Sequence, residues 1–122
     1  MSWIWLDRKT VVILHNRNLA EHGGAAGIRD EGLLDSALAR PEQLAHYEEP
    51  DVYELAASCA YGIVKNHPFV DGNKRTAIAV AYMFLGLNDL ELDVAEVEVV
   101  KYTIGLAASE VSETEFAGWL KE

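Results

Sequence analysis

The chain has 122 residues, half of them hydrophobic, and a net charge of −10. This length suits one domain with its own core, so we expect a single domain over residues 1–122. No apolar run approaches the ~20 residues of a membrane span, and no basic-then-apolar leader opens the chain, so we expect no membrane partner. The negative charge excludes a general nucleic-acid surface, because phosphate neutralisation requires clustered Lys and Arg. The single cysteine, Cys59, cannot form an internal disulfide, which fits a reducing cytoplasm.

The N-terminal part predicts an arm, a helix and a glycine-rich turn. Residues 1–6, with two alternating tryptophans, predict either a short strand or a packed arm. Residues 6–21 predict a helix capped by Asp7. Residues 23–27 lack the Gly-Lys-Ser/Thr ending of a phosphate-binding P-loop and follow no strand, so they predict a turn. The apolar residues of the predicted helix are Val11, Val12, Leu14 and Leu19.

A second helix is predicted after this turn. Asp30 is a suitable N-cap for a helix over residues 31–39. We expect Pro41 to end that helix, because proline lacks the backbone N–H that continues it. Residues 42–47 then predict a short further helical turn.

Two long apolar helices are predicted in the middle of the chain. The first begins at Val52 and ends before Pro68, which disfavours helical geometry at the preceding residue. Cys59 lies on its apolar face, where a small buried hydrophobe is the usual role. The second helix, residues 73–87, is apolar on almost all sides, so we expect it to be the most buried one. The apolar face of the first helix consists of Val52, Leu55, Ala56, Cys59, Ala60, Ile63 and Val64.

Two further helices complete an all-α fold. Asp93 is the predicted cap of a helix whose inward face is expected to contain Val97, Val100, Ile104 and Ala107. Ser112 and Glu115 form a capping-box pattern before a last helix with apolar Phe116, Trp119 and Leu120. The whole pattern predicts a bundle of six or seven helices.

Residues 67–75 read His-Pro-Phe-Val-Asp-Gly-Asn-Lys-Arg and join the two central helices. Gly72 allows the chain to reverse before the next helix begins. Lys74 and Arg75 then stand in the first turn, where the helix dipole disfavours each cation by about 0.3–1 kcal/mol. Unpaired N–H groups at a helix start together with two cations predict an anion site, most naturally for phosphate.

The other polar residues of the motif suggest a division of chemical roles. A histidine at a helix end is usually a C-cap and an aspartate before a helix is usually an N-cap, but here both flank the anion site. His67 is a candidate general base, because a neutral imidazole can remove a proton from a hydroxyl. Asp71 supplies a hard oxygen, and one carboxylate plus substrate phosphates usually holds Mg²⁺. Asn73, Lys74 and Arg75 would neutralise a transferring phosphoryl group. No nucleophilic Ser or Cys of known context competes, and zinc-site spacing is absent from His15, His22 and His46.

The motif resembles that of the Fic superfamily, whose usual form is His-Pro-Phe-x-Asp/Glu-Gly-Asn-Gly-Arg. Lys74 stands in place of the second glycine, and Ile78 stands where a second arginine is common. Both departures are similar to the Doc ("death on curing") branch, which comprises toxins of toxin–antitoxin pairs. The resemblance covers residues 6–87 and includes Gly23-Gly24 and the segments at 27–30, 32–37, 40–41 and 74–77.

The resemblance implies a specific activity. Typical Fic enzymes transfer AMP from ATP to a protein hydroxyl, whereas Doc-type enzymes transfer the terminal phosphate and act on translation elongation factor Tu. It implies ATP as substrate and Mg²⁺ as cofactor, with His67 as the base, Asp71 as the metal ligand and Phe69 as the anchor of the loop. The implied phosphate contacts are Gly72, Asn73, Lys74 and Arg75.

Two alternatives to a kinase toxin remain open from the sequence. An AMP transferase would use the same motif, and a non-catalytic binding module would keep the fold, although intact His67, Asp71 and Asn73 favour an enzyme. The chain lacks the Ser/Thr-x-x-x-Glu-Gly/Asn segment of self-inhibiting Fic proteins. We therefore expect a separate antitoxin whose disordered tail folds onto the toxin. Tyr47 and Tyr53 are candidates for target recognition.

Overall fold

The computed structural model describes residues 3–91 and 94–122. Their architecture is helical, and within these ranges the single β-pairing outside the helices is an antiparallel bridge between Ile28 and Phe69. The predicted all-α class of six or seven helices is confirmed. The predicted cap Asp93 lies outside the described residues. The described residues form six helices, which are α1 (Arg8–His22), α2 (Glu31–Tyr47), α3 (Val52–Asn66), α4 (Asn73–Leu87), α5 (Glu96–Ala107) and α6 (Glu113–Lys121).

Side-chain caps set the starts of several helices where the sequence predicted them. The Asp7 carboxylate accepts the Thr10 N–H at 2.8 Å and begins α1. Asp30 does the same for α2. Ser112 and Glu115 form the predicted reciprocal capping box of α6. Each cap satisfies a backbone N–H that has no partner inside the helix.

The prediction that Pro41 ends the second helix is wrong. Helix α2 continues through this proline to Tyr47, and Pro41 is buried. The missing N–H costs one hydrogen bond to Ala37, but apolar packing on α3 continues on both sides of the proline. The helices approach closely here, since a Cβ added at Gly62 of α3 would lie 3.1 Å from Ala37. Packing of α2 against α3 therefore outweighs the helix-breaking effect of Pro41.

Helix α3, rather than α4, is the most buried helix. Ten of the fifteen residues of α3 are buried, compared with seven of fifteen in α4. Helix α3 is more buried because it packs against four helices, α2, α4, α5 and α6. Helix α4 packs against α3, α1 and α5, and its remaining face is open. The prediction from the apolar sequence of α4 therefore overestimated how much of this helix is buried. Cys59 of α3 is 7% exposed, and burial raises the pKa of its thiol to about 12, which fits the predicted buried hydrophobe.

The predicted inward face of α5 is wrong at three of its four residues, while Ala107 packs against the core as predicted. Val97, Val100 and Ile104 are 75%, 53% and 52% exposed. Helix α5 carries a second apolar stripe, and it is this one, ending at the fully buried Leu106, that faces the core. Packing against α6 explains why this second stripe faces inward, because the ring of Tyr102 stacks on that of Trp119 with centroids 4.6 Å apart. Two competing stripes on one helix cannot be ranked from periodicity alone.

The described part of the N-terminal segment is a packed arm rather than a strand. Ile4 exchanges two backbone hydrogen bonds with the side chain of Asn88, at 3.0 and 3.1 Å. The Trp5 ring stacks on Phe84 with centroids 5.7 Å apart. Within residues 3–91 and 94–122, no helix combines the length and the apolar character needed to cross a bilayer.

Candidate active site

The motif begins where α3 ends. His67 is the C-cap residue and adopts a left-handed conformation, with φ 51° and ψ 54°, which few residues other than glycine tolerate. The backbone carbonyls of His67 and Asn66 both accept hydrogen bonds from the Arg29 guanidinium, at 2.7 and 2.8 Å. The His67 side chain is exposed, and its imidazole makes no hydrogen bond to any residue of the described ranges. It is therefore free to meet a substrate.

A short extended segment lies beside the motif. Arg29 and Asp30 donate their N–H groups to the Pro68 carbonyl, and Val70 donates to the Gly27 carbonyl at 3.0 Å. Residues 23–27, predicted only as a turn, thus lead into a segment that is paired with the motif loop. This pairing also brings Arg29 into place, which sequence reasoning did not identify as part of the site. Its position in residues 27–30, one of the segments that resemble the Doc branch, was the available signal.

The centre of the loop is held by Phe69 and Asn73. Phe69 is fully buried, as an anchor of the loop should be. The Asn73 side chain accepts the Phe69 N–H at 3.0 Å and donates to the Phe69 carbonyl at 2.9 Å. Asn73 is 4% exposed, so its amide serves the loop and the part that remains for a phosphate is its backbone N–H.

A histidine from α1 supports the same loop. His15 is 1% exposed, and its ring lies nearly parallel to that of Phe69, with centroids 3.8 Å apart. Its Nε2 lies 2.7 Å from the carbonyl oxygen of Asp71. A carbonyl can only accept, so Nε2 carries a proton and donates it. Sequence reasoning considered His15 only as a zinc ligand. The better signal was its place between Val11 and Leu19, four residues from each on the buried side of α1.

Asp71 is not an ordinary helix cap. The N-cap position of α4 is occupied by Gly72, with φ 78°, and no side chain caps the helix. One carboxylate oxygen of Asp71 accepts the Gly72 N–H at 2.8 Å. The other points toward the Ala25 N–H at 3.4 Å, and a Cβ at Gly24 would lie only 2.7 Å from it. The glycine thus leaves room for an exposed carboxylate oxygen.

This carboxylate has the chemistry of a Mg²⁺ ligand whose other partners are substrate phosphates and water. The described residues contain no group of three or more His, Cys, Asp or Glu side chains arranged to hold a metal ion. A resident metal would need such a group, whereas Mg²⁺ usually takes one or two carboxylates, substrate phosphates and water. Asp71 offers one hard oxygen beside an anion site, which matches that second pattern.

The start of α4 contains the free N–H groups and the cations of the predicted anion site. Thr76 donates its N–H to the Gly72 carbonyl at 3.0 Å, so the helical hydrogen bonds begin there. Within the described ranges, the N–H groups of residues 73–75 have no hydrogen-bond partner. Lys74 and Arg75 are exposed and form no ion pair with a described residue. In a chain with a net charge of −10, this concentration of donors and cations strongly favours a phosphate.

The two tyrosines suggested for target recognition lie far from this site. Tyr53 is in the first turn of α3 and His67 follows its last turn, so about 21 Å of helix separates them. Tyr47 ends α2 only five residues before Val52 begins α3, so it lies by the end of α3 opposite to His67, and it is 81% exposed. The structure therefore brings together His67, Asp71 and the start of α4, but neither tyrosine.

Comparisons with known proteins agree with this geometry. The model of the Fic/DOC family matches residues 5–85. The chain is 31% identical to the protein kinase doc of Escherichia phage P1 over 117 residues, which cover 95% of this chain and 92% of the relative. It is 39% identical to the toxin Doc of Mycolicibacterium smegmatis over 90 residues, which cover 72% and 67%. The chain belongs to the Fic/DOC family and is similar to Doc-type toxins within it.

Proposed function

We propose that this protein is a toxin that acts as a protein kinase, transferring the terminal phosphate of ATP to a hydroxyl of elongation factor Tu and so inhibiting translation in the cytoplasm. The observation that carries the proposal is the start of α4, where three unpaired N–H groups and two cations directly follow the loop that contains exposed His67 and exposed Asp71. The relatives that are named as a protein kinase and as a toxin support the kinase and toxin parts of this proposal.

The residues divide the chemistry as follows. The neutral imidazole of His67 takes the proton of the target hydroxyl, whose oxygen attacks the γ-phosphorus of ATP. The bond from that phosphorus to the β–γ bridging oxygen breaks, a phosphate ester forms and ADP leaves. The N–H groups of residues 73–75 with Lys74 and Arg75 stabilise the negative charge on the transferring group. Asp71 would hold Mg²⁺, which when bound neutralises phosphate charge.

Lys74 favours phosphate over AMP transfer. In the usual Fic motif this position is glycine, which leaves more room in the phosphate cradle. A lysine adds both volume and a positive charge, and so alters which phosphate lies in line with the nucleophile. We expect Lys74→Gly to lower phosphate transfer and to raise the proportion of AMP transferred, measured by mass spectrometry of the target. Arg75→Lys, which keeps the charge, is the control and should not raise that proportion.

The direct test is to incubate the protein with elongation factor Tu, ATP and Mg²⁺ and to measure the mass of the factor by mass spectrometry. A gain of about 80 Da identifies phosphate transfer, and about 329 Da identifies AMP transfer. Phosphate on the factor supports the proposal. A gain of AMP would establish the alternative transferase, and an unmodified factor would contradict the proposed target.

The neutralising partner has a suitable surface beside the site. A half-open cavity of about 270 Å³ lies between α4 and the outer face of α5, and Lys74 and Arg75 stand at its edge. Apolar patches rimmed by charge commonly mark partner sites. We propose that a segment of the cognate antitoxin folds here with apolar and acidic side chains, covering the anion site. The cavity is lined by Lys74, Arg75, Ile78, Val99, Val100, Thr103 and Ile104.

A further inference from the structure

The interaction of His15 with the motif loop has a consequence for the anion site. The imidazole Nε2–H meets the Asp71 carbonyl at 2.7 Å, and the N–H of the same peptide unit, on Gly72, meets the Asp71 carboxylate at 2.8 Å. Both polar ends of the Asp71–Gly72 peptide are therefore held. This peptide immediately precedes the first free N–H groups of α4, so its orientation determines where those groups point.

His15 is well placed to fix that orientation. Its side chain is buried against Phe69, and the stacked rings leave it little freedom to move. Its Nε2 and Cδ2 also lie beneath Gly72, 3.7 Å from where a Cβ would be. Gly72 has a φ of 78°, and a glycine between two peptide planes allows the planes to rotate readily. The Nε2–H of His15, which is held on α1, limits rotation of the Asp71–Gly72 peptide plane.

We propose that His15 is a positioning residue for the transfer reaction. Its Nε2–H fixes the Asp71–Gly72 peptide and thereby aligns both the Asp71 carboxylate and the N–H groups of residues 73–75 with the phosphate. The alignment follows from the geometry alone, while its effect on phosphate transfer rests on the proposed function. His15 touches neither substrate nor the reacting atoms, and it acts through Asp71 and Gly72.

Three substitutions separate the donor from the ring. His15→Gln places an amide N–H at the same number of bonds from the backbone as Nε2, so it keeps the donor and loses the ring. His15→Phe keeps a ring against Phe69 and loses the donor. His15→Asn has a donor that is too short to reach. His46→Phe, at an exposed histidine far from the motif, is the control for an added phenyl ring.

We expect activity to follow the donor and stability to follow the ring. His15→Phe and His15→Asn should lose ~10²-fold in kcat, because small misplacements of a catalytic group have effects of that size. The KM for ATP should change far less, and His15→Gln should recover most of the kcat. In thermal unfolding, His15→Phe should be more stable than His15→Gln. If kcat instead falls in the order of the unfolding temperatures, His15 only fills the core and the proposal is overturned.

A second measurement does not need activity. The nitrogen NMR spectrum should show the His15 proton on Nε2. Hydrogen exchange of the Gly72 amide should accelerate in His15→Phe and return toward the parent rate in His15→Gln. Equal Gly72 exchange in both variants would overturn the positioning role. If the parent protein transfers no phosphate while these exchange rates behave as expected, the proposed function fails and the role of His15 in the loop stands.

Discussion

The motif loop, residues 67–73, leads into α4, and helix α5 packs beside α4. The two regions differ in how many of their polar or apolar groups have partners within this chain. In the motif loop, the carbonyls of His67, Pro68, Phe69 and Asp71 all accept hydrogen bonds, chiefly from side chains and backbone of other segments. In α5, three large apolar side chains are more than half exposed. These loop carbonyls are paired within this chain, whereas the outer face of α5 is uncovered.

Under the proposed function, this difference would assign catalysis to the loop and regulation to α5. Groups that stabilise a transition state act best when they are fixed before substrate arrives, since reorganisation then costs nothing during the reaction. A surface that is covered only by a partner must remain exposed until the partner binds. The account predicts that substitutions in the loop change chemistry or stability, and that substitutions on α5 change partner affinity.

The largest effect is expected at His67. Removing the base with His67→Ala should lower phosphate transfer by ~10²–10⁴, while ATP still binds. His67→Asn should lose as much, although asparagine tolerates the left-handed backbone well. Because the side chain is exposed, the unfolding temperature should hardly change. His46→Ala is the control and should transfer at the parent rate in the same kinetic assay.

Asp71 tests the proposed metal ligand. Asp71→Asn keeps an oxygen that accepts the Gly72 N–H, but it removes the negative charge that attracts Mg²⁺. Even residues that only hydrogen-bond to a metal ligand contribute ~10–100-fold to metal affinity. Loss of the ligand itself should therefore weaken Mg²⁺-dependent ATP binding by at least ~10-fold. Calorimetric titration with and without Mg²⁺ measures this loss. Equal Mg²⁺ dependence in the variant and the parent would exclude Asp71 as the ligand.

Asn73 tests whether the loop is held as described. Asn73→Ala would leave the Phe69 N–H and carbonyl buried without partners, so we expect a loss of about 1–3 kcal/mol in the free energy of unfolding. Asn16→Ala, at an exposed position of α1, should stay within about 0.5 kcal/mol of the parent. Urea denaturation measures both values. Similar small changes in the two variants would show that the Asn73 bonds do not stabilise the loop.

The smallest effect is expected on α5. Ile104→Asp should weaken antitoxin binding by about 1–2 kcal/mol, which is ~5–30-fold in Kd, by placing a charge in an apolar contact. Val97→Asp is the matched control, because Val97 is exposed on the same helix but does not line the cavity. Phosphate transfer should be unchanged in both. Equal losses of affinity in the two variants would place the partner elsewhere on α5.

The sequence predicted the elements of this fold better than their contacts. Caps such as Asp7 and Ser112 act within a few residues, so local patterns were sufficient for them. The continuation of α2 through Pro41 and the exposed face of α5 depend on neighbours that are distant in sequence. The motif residues were recognisable because chemistry constrains their types and spacing. His15 was not, since its hydrogen bond to Asp71 spans 56 positions and its role is backbone support.

The most direct test measures phosphate transfer and antitoxin affinity side by side in the parent, His67→Ala and Ile104→Asp. We predict that His67→Ala loses transfer to elongation factor Tu and keeps antitoxin affinity, while Ile104→Asp does the opposite. Such a result would assign chemistry to the motif loop and regulation to α5. If His67→Ala transfers phosphate as fast as the parent, the loop is not the catalyst and the account is contradicted.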